Sequence, residues 1–246
     1  MDKLITLKND IRTVFVGDIH GDLITLNKVF NRYNVGDTRF VFLGDYIDRG
    51  EYSNDVVATL LQGKQIFPDR IIMLLGNHEL GDCGDFWFDE RCNKYKELFK
   101  SLPLAVELGN IVATHGAIPI LNNIKNFNDI GVNIGFDPLL QIIVWGDLDH
   151  YGFVQSGIDN TNGLRPCLSK KYIDEALASI NKKILIRGHD PKNPTVSIGG
   201  KCLTLMTNDI WAEYYKDATP KIAVVEAGEN PEQASDIKII DLQGAL

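Results

Sequence analysis

The chain has 246 residues, 44% of them apolar and 24% charged, and its 25 Lys and Arg stand against 33 Asp and Glu for a formal charge of −8. That length holds one large domain or two small ones, in a composition ordinary for a globular protein. The acidic balance argues against sequence-independent nucleic-acid binding and against an anionic membrane surface, and no apolar run approaches the ~20 residues of a membrane helix.

Read in chain order, the segment from Ile11 to Val16 is a predicted strand, followed by Leu23, Leu26, Phe30 and Tyr33 at helical spacing. Arg39 to Leu43 is a second strand, and Asn54 to Leu61 a second helix with Ser53 or Asn54 as its N-cap. Arg70 to Leu75 is a third strand, and Asp85 to Leu102 a longer helix with Phe86, Tyr95, Leu98 and Phe99 among its apolar positions. This βαβαβα order predicts α/β layering and a largely parallel central sheet. Leu104–Leu108 and Ile111–Thr114 flank the turn signal Gly109-Asn110, which predicts a hairpin. Residues 119–140 are rich in Asn, Gly and Pro and predict loops. Ser169 caps a predicted helix to about Ile180, without a capping box. Strands follow near 184–187, 195–198, 202–206, 221–226 and 237–241. No repeat or linker divides the chain, so residues 1–246 are expected to form a single domain.

Met1-Asp2-Lys3-Leu4-Ile5 lacks the basic start and long apolar stretch of a secretory leader. Cys83, Cys92, Cys167 and Cys202 are scattered, with neither a C-x-x-C pair nor zinc-ligand spacing. Reduced thiols in a cytoplasmic protein are the expectation.

The first three strands each run into a glycine and polar groups. They give Gly17-Asp18-Ile19-His20-Gly21-Asp22, Gly44-Asp45-Tyr46-Ile47-Asp48-Arg49-Gly50 and Gly76-Asn77-His78-Glu79. Ligands of open α/β sheets sit at the carboxyl ends of strands, so Asp18, His20, Asp45, Asn77 and His78 are expected to converge. Thr114-His115-Gly116 and Arg187-Gly188-His189 follow later strands in the same way. Of 5 histidines, only His150 lies elsewhere, in a polar loop, and it reads as a solvated surface residue. A lone Asp after a strand is usually a cap or turn residue, and a lone His is usually a satisfied polar group; the joint pattern outweighs both readings. Mixed N and O donors suit two divalent cations of the Mn, Fe or Zn type. A carboxylate such as Asp45 can bridge ions ~3.5–4 Å apart, the spacing that clamps a phosphoryl group and activates water. Arg49 and Arg165 offer planar, bidentate phosphate contacts.

The sequence resembles the phosphoprotein phosphatases, a family of dinuclear metallophosphoesterases. That family carries GDxHG, GDxxDRG and GNHE in this order, and the three motifs above match without a mismatch. Leu102-Pro103-Leu104-Ala105 ahead of His115-Gly116, Trp145-Gly146-Asp147, Gly163-Leu164-Arg165 and Arg187-Gly188-His189 resemble its later elements, so that the resemblance runs from about residue 11 to about 227. It implies a four-layer α/β/β/α sandwich. It implies that Asp18, His20 and Asp45 hold one metal, and that Asp45, Asn77, His115 and His189 hold the other. His78 becomes the general acid, oriented and charged by Asp48, and Arg49, Arg165 and Asn77 bind the phosphoryl oxygens.

The implied activity is that of a metal-dependent phosphomonoesterase, a serine/threonine protein phosphatase hydrolysing its ester by attack of a hydroxide held between two metals. Manganese is the leading choice of metal, with iron, zinc or magnesium as alternatives. The implied substrate is a phosphoprotein or a phosphorylated small molecule, with no nucleic acid or membrane partner and no regulatory subunit implied. Hydrolysis of diadenosine tetraphosphate or another phosphoanhydride is the alternative; a non-catalytic scaffold of the same fold is a remote one. The family's Ser-Ala-Pro-Asn-Tyr loop is replaced by Met206-Thr207-Asn208-Asp209-Ile210-Trp211, which leaves its tyrosine without an aligned counterpart; Tyr214 or Tyr215 are the candidates to replace it in space.

Overall fold

The computed structural model describes residues 2–81, 84–132, 137–149, 152–154, 157–159, 165–192, 195–212, 214–215 and 219–243. In chain order these form β1 (Leu4–Thr6), β2 (Arg12–Val16), α1 (Leu23–Arg32), β3 (Thr38–Phe42), α2 (Ser53–Ile66), β4 (Ile71–Met73), α3 (Lys96–Lys100), β5 (Ala105–Leu108), β6 (Ile111–Ala113) and α4 (Pro138–Trp145). The second half adds β7 (Asp147–Leu148), β8 (Ile158–Asp159), β9 (Cys167–Leu168), α5 (Lys170–Ser179), β10 (Ile184–Arg187), β11 (Val196–Ser197), β12 (Cys202–Thr204), β13 (Lys221–Val225) and β14 (Lys238–Asp241).

The strands sort into two main sheets rather than one central sheet. One runs β14-β13-β2-β3-β4, the other β1-β5-β6-β10-β12-β11, and β7-β9-β8 form a small third sheet. Strands β2, β3 and β4 are parallel neighbours, as their unbroken apolar runs predict. The C-terminal strand β13 enters antiparallel on the other side of β2, with Ile222 opposite Val16. In the second sheet β6 and β10 are parallel, with Ala113 opposite Ile186.

Side chains alternate across each strand and so divide the interior into layers. Phe15, Val41, Leu43, Ile72 and Leu74 meet Val106, Ile111, Ala113, Ile184, Ile186 and Leu203 in one cluster, the filling between the sheets. Val14, Val16, Phe40, Phe42 and Met73, their neighbours along the chain, instead join Leu26, Val29, Val56 and Leu60 of α1 and α2. Val112, Leu185 and Cys202 join Leu140 and Ile143 of α4 and Ile173 and Leu177 of α5. The layers are therefore α/β/β/α, as the resemblance implies.

Several local expectations change. The predicted helix over 85–102 is two 3₁₀ turns, Phe86–Phe88 and Glu90–Cys92, followed by the five-residue α3. Asp side chains compete for its backbone: Asp48 accepts the Phe86 N–H and Asp89 accepts the Arg91 N–H. Helix α2 starts at Ser53, but Ser53 does not cap it; its hydroxyl accepts the Asp48 N–H at 2.9 Å. Helix α4 lies where no helix was expected, capped by Asp137 with Pro138 in its first turn. Ser169 does cap α5, accepting the Tyr172 N–H at 3.1 Å. The hairpin at Gly109-Asn110 forms as expected between β5 and β6. Cys92, Cys167 and Cys202 are free thiols, and Cys83 lies outside the described residues. No helix among the described residues is long and apolar enough to cross a membrane.

Candidate active site

Parallel strand order brings the motif residues together. Asp18 and His20 follow β2, Asp45, Asp48 and Arg49 follow β3, and Asn77 and His78 follow β4. From the facing sheet, His115 follows β6 and His189 follows β10. The sheets are seamed beside this point: Asp18 bridges Met206, and its carbonyl accepts the Thr207 N–H and the Asn208 side-chain amide. Asp18, His20, Asp45, Asp48, Asn77, His78, His115 and His189 are all buried.

Among the described residues, seven non-glycine residues have left-handed backbone, and His20, Asp45, Asp48, Arg49 and His189 are five of them. Such backbone costs roughly 1–3 kcal/mol per residue and persists where the surroundings over-determine it. Two glycines make room for carboxylates. A Cβ on Gly188 would stand 2.1 Å from Asp18 Oδ1, and one on Gly76 would stand 2.3 Å from Asp45 Oδ1.

Two groups of ligand-type atoms share Asp45: His20–Asp45–His78 and Asp45–His115–His189, each within 4.8 Å. His20 Nε2 lies 3.5 Å from Asp45 Oδ2 and 3.9 Å from Asp18 Oδ2, so Asp18 stands beside the first group. His115 Nε2 lies 3.4 Å from Asp45 Oδ1 and 2.9 Å from Asn77 Oδ1, and His189 Nδ1 lies 3.0 Å from the same Asn77 oxygen. The opposite ring nitrogens are engaged elsewhere. His20 Nδ1 meets the Ile47 carbonyl at 2.9 Å, His115 Nδ1 meets the Leu43 carbonyl at 3.0 Å, and His189 Nε2 faces Asp147 Oδ1 at 3.4 Å. Outward donation by His20 and His115 turns the lone pairs of their inner nitrogens toward the shared carboxylate and amide oxygen.

Electrostatics agree with that donor set. Burial lowers His20 to about 4 and His189 to about 3, keeping both rings neutral, the form that ligates. Burial pushes the Asp18 carboxyl up to about 7. Burial alone would raise Asp45, but His115 and His78 outweigh it and hold its carboxyl well below the usual range. For His115 burial would act downward, and Asp45 outweighs it and raises the ring. Acceptors and lone pairs converging in a buried pocket fit a pair of divalent cations.

His78 is set apart from this cluster by its partner. Its Nδ1 pairs with Asp48 Oδ2 at 2.6 Å, while its Nε2 faces Asp45 Oδ2 at 3.9 Å. Asp48 Oδ1 accepts the Phe86 N–H at 2.7 Å, which locks the carboxylate.

Above this floor opens a cleft of about 480 Å³, lined by His20, Asp45, Asn77, His78 and His189, by Arg49 and Arg165, and by Trp145, Asp147, Lys192, Trp211 and Tyr215 among others. Arg165 forks onto Asp147 at 2.9 and 2.8 Å and lies over Trp145. Asp147 therefore joins Arg165 to His189. Burial would raise its carboxyl, but these two partners hold it well below the usual range.

The structure thus brings all ten sequence-predicted site residues to one place. It adds Asp147, known beforehand only as part of Trp145-Gly146-Asp147, and Glu79, the last residue of its motif. The Glu79 carboxylate is fully buried and accepts backbone N–H groups of Asp45, Tyr46 and Gly76 at 2.8, 2.8 and 3.1 Å, tying the loop after β3 to the loop after β4. Of the aromatics near the divergent loop, Trp211 and Tyr215 line the cleft, while Tyr214 is 71% exposed and does not. His150, Gly163 and Leu164 lie outside the described residues.

A model of the calcineurin-like phosphoesterase family matches residues 11–193. The serine/threonine-protein phosphatase PP2A-like PPG1 of Candida albicans is 28% identical over 98% of this chain and 62% of its own length. The serine/threonine-protein phosphatase 4 catalytic subunit of Saccharomyces cerevisiae is 29% identical over 73% of this chain and 63% of its own. The chain thus spans less than two thirds of the length of these curated relatives. A solved Saccharomyces cerevisiae phosphatase with similarity to human phosphatase PP5 superposes with a TM-score of 0.83 over 97% of this chain and 83% of its own, at 18% identity, a likeness of fold.

Proposed function

The chain belongs to the calcineurin-like phosphoesterase family, and from that premise we propose that residues 1–246 form one catalytic domain of a metal-dependent phosphomonoesterase of the serine/threonine protein phosphatase kind. The observation that carries the reading is the His78–Asp48 pair at 2.6 Å, set beside a carboxylate shared by two ligand groups. In this reading Asp18, His20 and Asp45 hold one divalent cation, and Asp45, Asn77, His115 and His189 hold the other. Bound there, such cations supply Lewis acidity toward a phosphoryl oxygen and toward water. Manganese heads the choice among Mn, Fe, Zn and Mg, because the donors mix imidazole with oxygen.

The chain's own residues do the rest. Arg49, Arg165 and Asn77 line the cleft and grip phosphoryl oxygens, and Asp147 holds the Arg165 fork in one plane. Asp48 takes the Nδ1 side of His78, which leaves Nε2–H to pass its proton to the departing ester oxygen. A serine or threonine alkoxide is a poor leaving group and needs that proton; an anhydride's phosphate needs it far less. The acid pair thus favours monoester over phosphoanhydride substrates. The three described thiols are free, which accords with a reducing cytoplasmic setting.

The test is turnover by the metal-loaded protein on phosphoserine and phosphothreonine peptides against diadenosine tetraphosphate. The peptides are expected to have the higher kcat/KM. Preference for the tetraphosphate would overturn the reading, and so would absence of metal-dependent turnover on all of them.

A further inference from the structure

A second cavity, of about 640 Å³, opens at the other end of the sandwich. The cleft lies at the carboxyl ends of β3 and β4. This cavity lies at their amino ends, where Arg39 sits in β3 and Arg70 directly precedes β4. Its apolar part is Ile72, which belongs to the filling between the sheets, together with Ile5 and Leu7, which pack against that filling. Four cations line it, Lys8, Arg39, Lys64 and Arg70, against two carboxylates, Asp10 and Asp69. That local excess of positive charge stands in a chain whose net charge is −8.

The cations are only partly answered. Arg39 is 8% exposed; its Nη1 donates to the Lys8 carbonyl at 2.9 Å and its Nη2 to Asp10 at 3.2 Å, but its Nε–H is buried and meets no acceptor among the described residues. Lys64 gives one of its three N–H groups to the Ile71 carbonyl at 3.0 Å. Burial lowers Lys64 below the usual lysine range, and Asp69 opposes that only in part. Among the described residues of the lining, Arg39 with Asp10 is the only ion pair. We propose that this cavity is a second ligand site, separate from the catalytic cleft, for a small organic phosphate or phosphonate: its anionic head meets Lys8, Lys64 and Arg70, and its apolar body covers Ile5, Leu7 and Ile72. A phosphoryl head brings three acceptor oxygens and nearly two charges, which suits a planar guanidinium fork beside two ammonium groups. A lone carboxylate brings two oxygens and one charge. A bare inorganic anion leaves the apolar part uncovered, in a cavity whose volume is that of a small-molecule pocket.

The experiment titrates the zinc-loaded protein with benzylphosphonate, an anion with an apolar ring and no ester to hydrolyse. Arginine Nε–H resonances report the two places separately in one spectrum: Arg49 and Arg165 for the cleft, Arg39 and Arg70 for the cavity. The Arg39 and Arg70 signals are expected to move along a saturation curve of their own. Arg70→Gln should weaken that curve, followed at Arg39, roughly 10- to 100-fold, and Lys64→Gln should act in the same direction. Arg70→Lys, which keeps the charge, should recover part of the loss. All three variants should retain the cleft titration and turnover of p-nitrophenyl phosphate, which shows that they fold. Movement confined to Arg49 and Arg165 would overturn the inference, as would an Arg39 curve indifferent to Arg70→Gln and Lys64→Gln. Inorganic phosphate saturating the Arg39 signal as tightly as benzylphosphonate would overturn it in favour of an adventitious ion only. Parallel loss of the cleft and Arg39 titrations in every variant would overturn the separateness of the two sites.

Discussion

His78→Asn isolates proton donation from everything else the site does. The 2.6 Å contact to Asp48 and the 2.7 Å bond from the Phe86 N–H to the other Asp48 oxygen fix the imidazole from behind. Asn can keep the contact to Asp48, but it has no acidic proton to present toward the cleft. General acid catalysis contributes ~10²–10⁴-fold, or about 3–5 kcal/mol of barrier. That whole factor is expected to vanish from kcat on a phosphoserine peptide. p-Nitrophenolate departs with little protonation, so kcat on p-nitrophenyl phosphate should fall less than about 10-fold. Asp48→Asn is the milder perturbation. It presents an amide N–H to His78 Nδ1, holds that nitrogen as an acceptor and leaves a neutral ring. Loss of a hydrogen bond to a charged group, about 1.5–3 kcal/mol, converts to roughly 10- to 100-fold on phosphoserine. The assay is paired kinetics on the two substrates, with metal content measured for each variant. Equal losses on both substrates, accompanied by reduced metal content, would refute the reasoning and make His78 a structural support for Asn77.

Three further outcomes are expected. Arg165→Lys keeps the charge but loses the fork onto Asp147; KM for phosphopeptide should rise and phosphate inhibition weaken, and unchanged inhibition would remove Arg165 from the phosphate site. Glu79→Gln sets an amide N–H₂ against at least one of three backbone N–H donors, at a cost of about 1–3 kcal/mol; metal affinity should fall with stability, and a variant that binds metal normally would show that Glu79 does not position Asp45 and Asn77. Asp18, at about 7 through burial, and His115, raised by Asp45 against the effect of burial, must both shed protons before they can ligate. Metal affinity should therefore weaken as pH falls through neutrality, with proton release on binding measured by calorimetry in buffers of differing ionisation enthalpy; affinity independent of pH would remove Asp18 and His115 from the ligand set.

What could be read in advance follows physical lines. Strands β2, β3 and β4 were legible because Val14–Val16, Phe40–Phe42 and Ile71–Met73 are apolar without alternation, as parallel strands covered on both faces require. The site residues were legible because the carboxyl ends of parallel strands share one edge, so Asp18, Asp45 and Asn77 had to meet. Helix α4 was not, since Leu139 to Trp145 is apolar but for Gln141, too nearly uniform to show a helical period. The segment 85–102 had the period but lost its helix to Asp48 and Asp89, of which Asp48 is remote in sequence. Pairing of strands between sheets has no local signal, which is why two sheets replaced one. Trp211 and Asp147 carried only weak signals for the same reason: what recommends them is contact with His20, Arg49, Arg165 and His189 across the fold. Glu79 stood in plain view within its motif, but its role is to accept backbone N–H groups, and side-chain chemistry alone does not announce that.

The place of β13 has a consequence for biosynthesis. Translation delivers β2, β3 and β4 early, and they can zip together as soon as they emerge. The strand that completes β2 on its other side arrives only with residues 221–225. Until then the middle strand of the finished sheet is an edge, with Thr13 to Val16 and their unpaired backbone groups open to any other extended chain. The family match ends at residue 193, so even a nascent chain that has made every candidate metal ligand still lacks this cover. Asp18 also waits, because Thr207 and Asn208 hold its carbonyl. Ribosomal stalling or premature release before residue 221 would therefore yield a molecule whose hazard is self-association rather than mere inactivity.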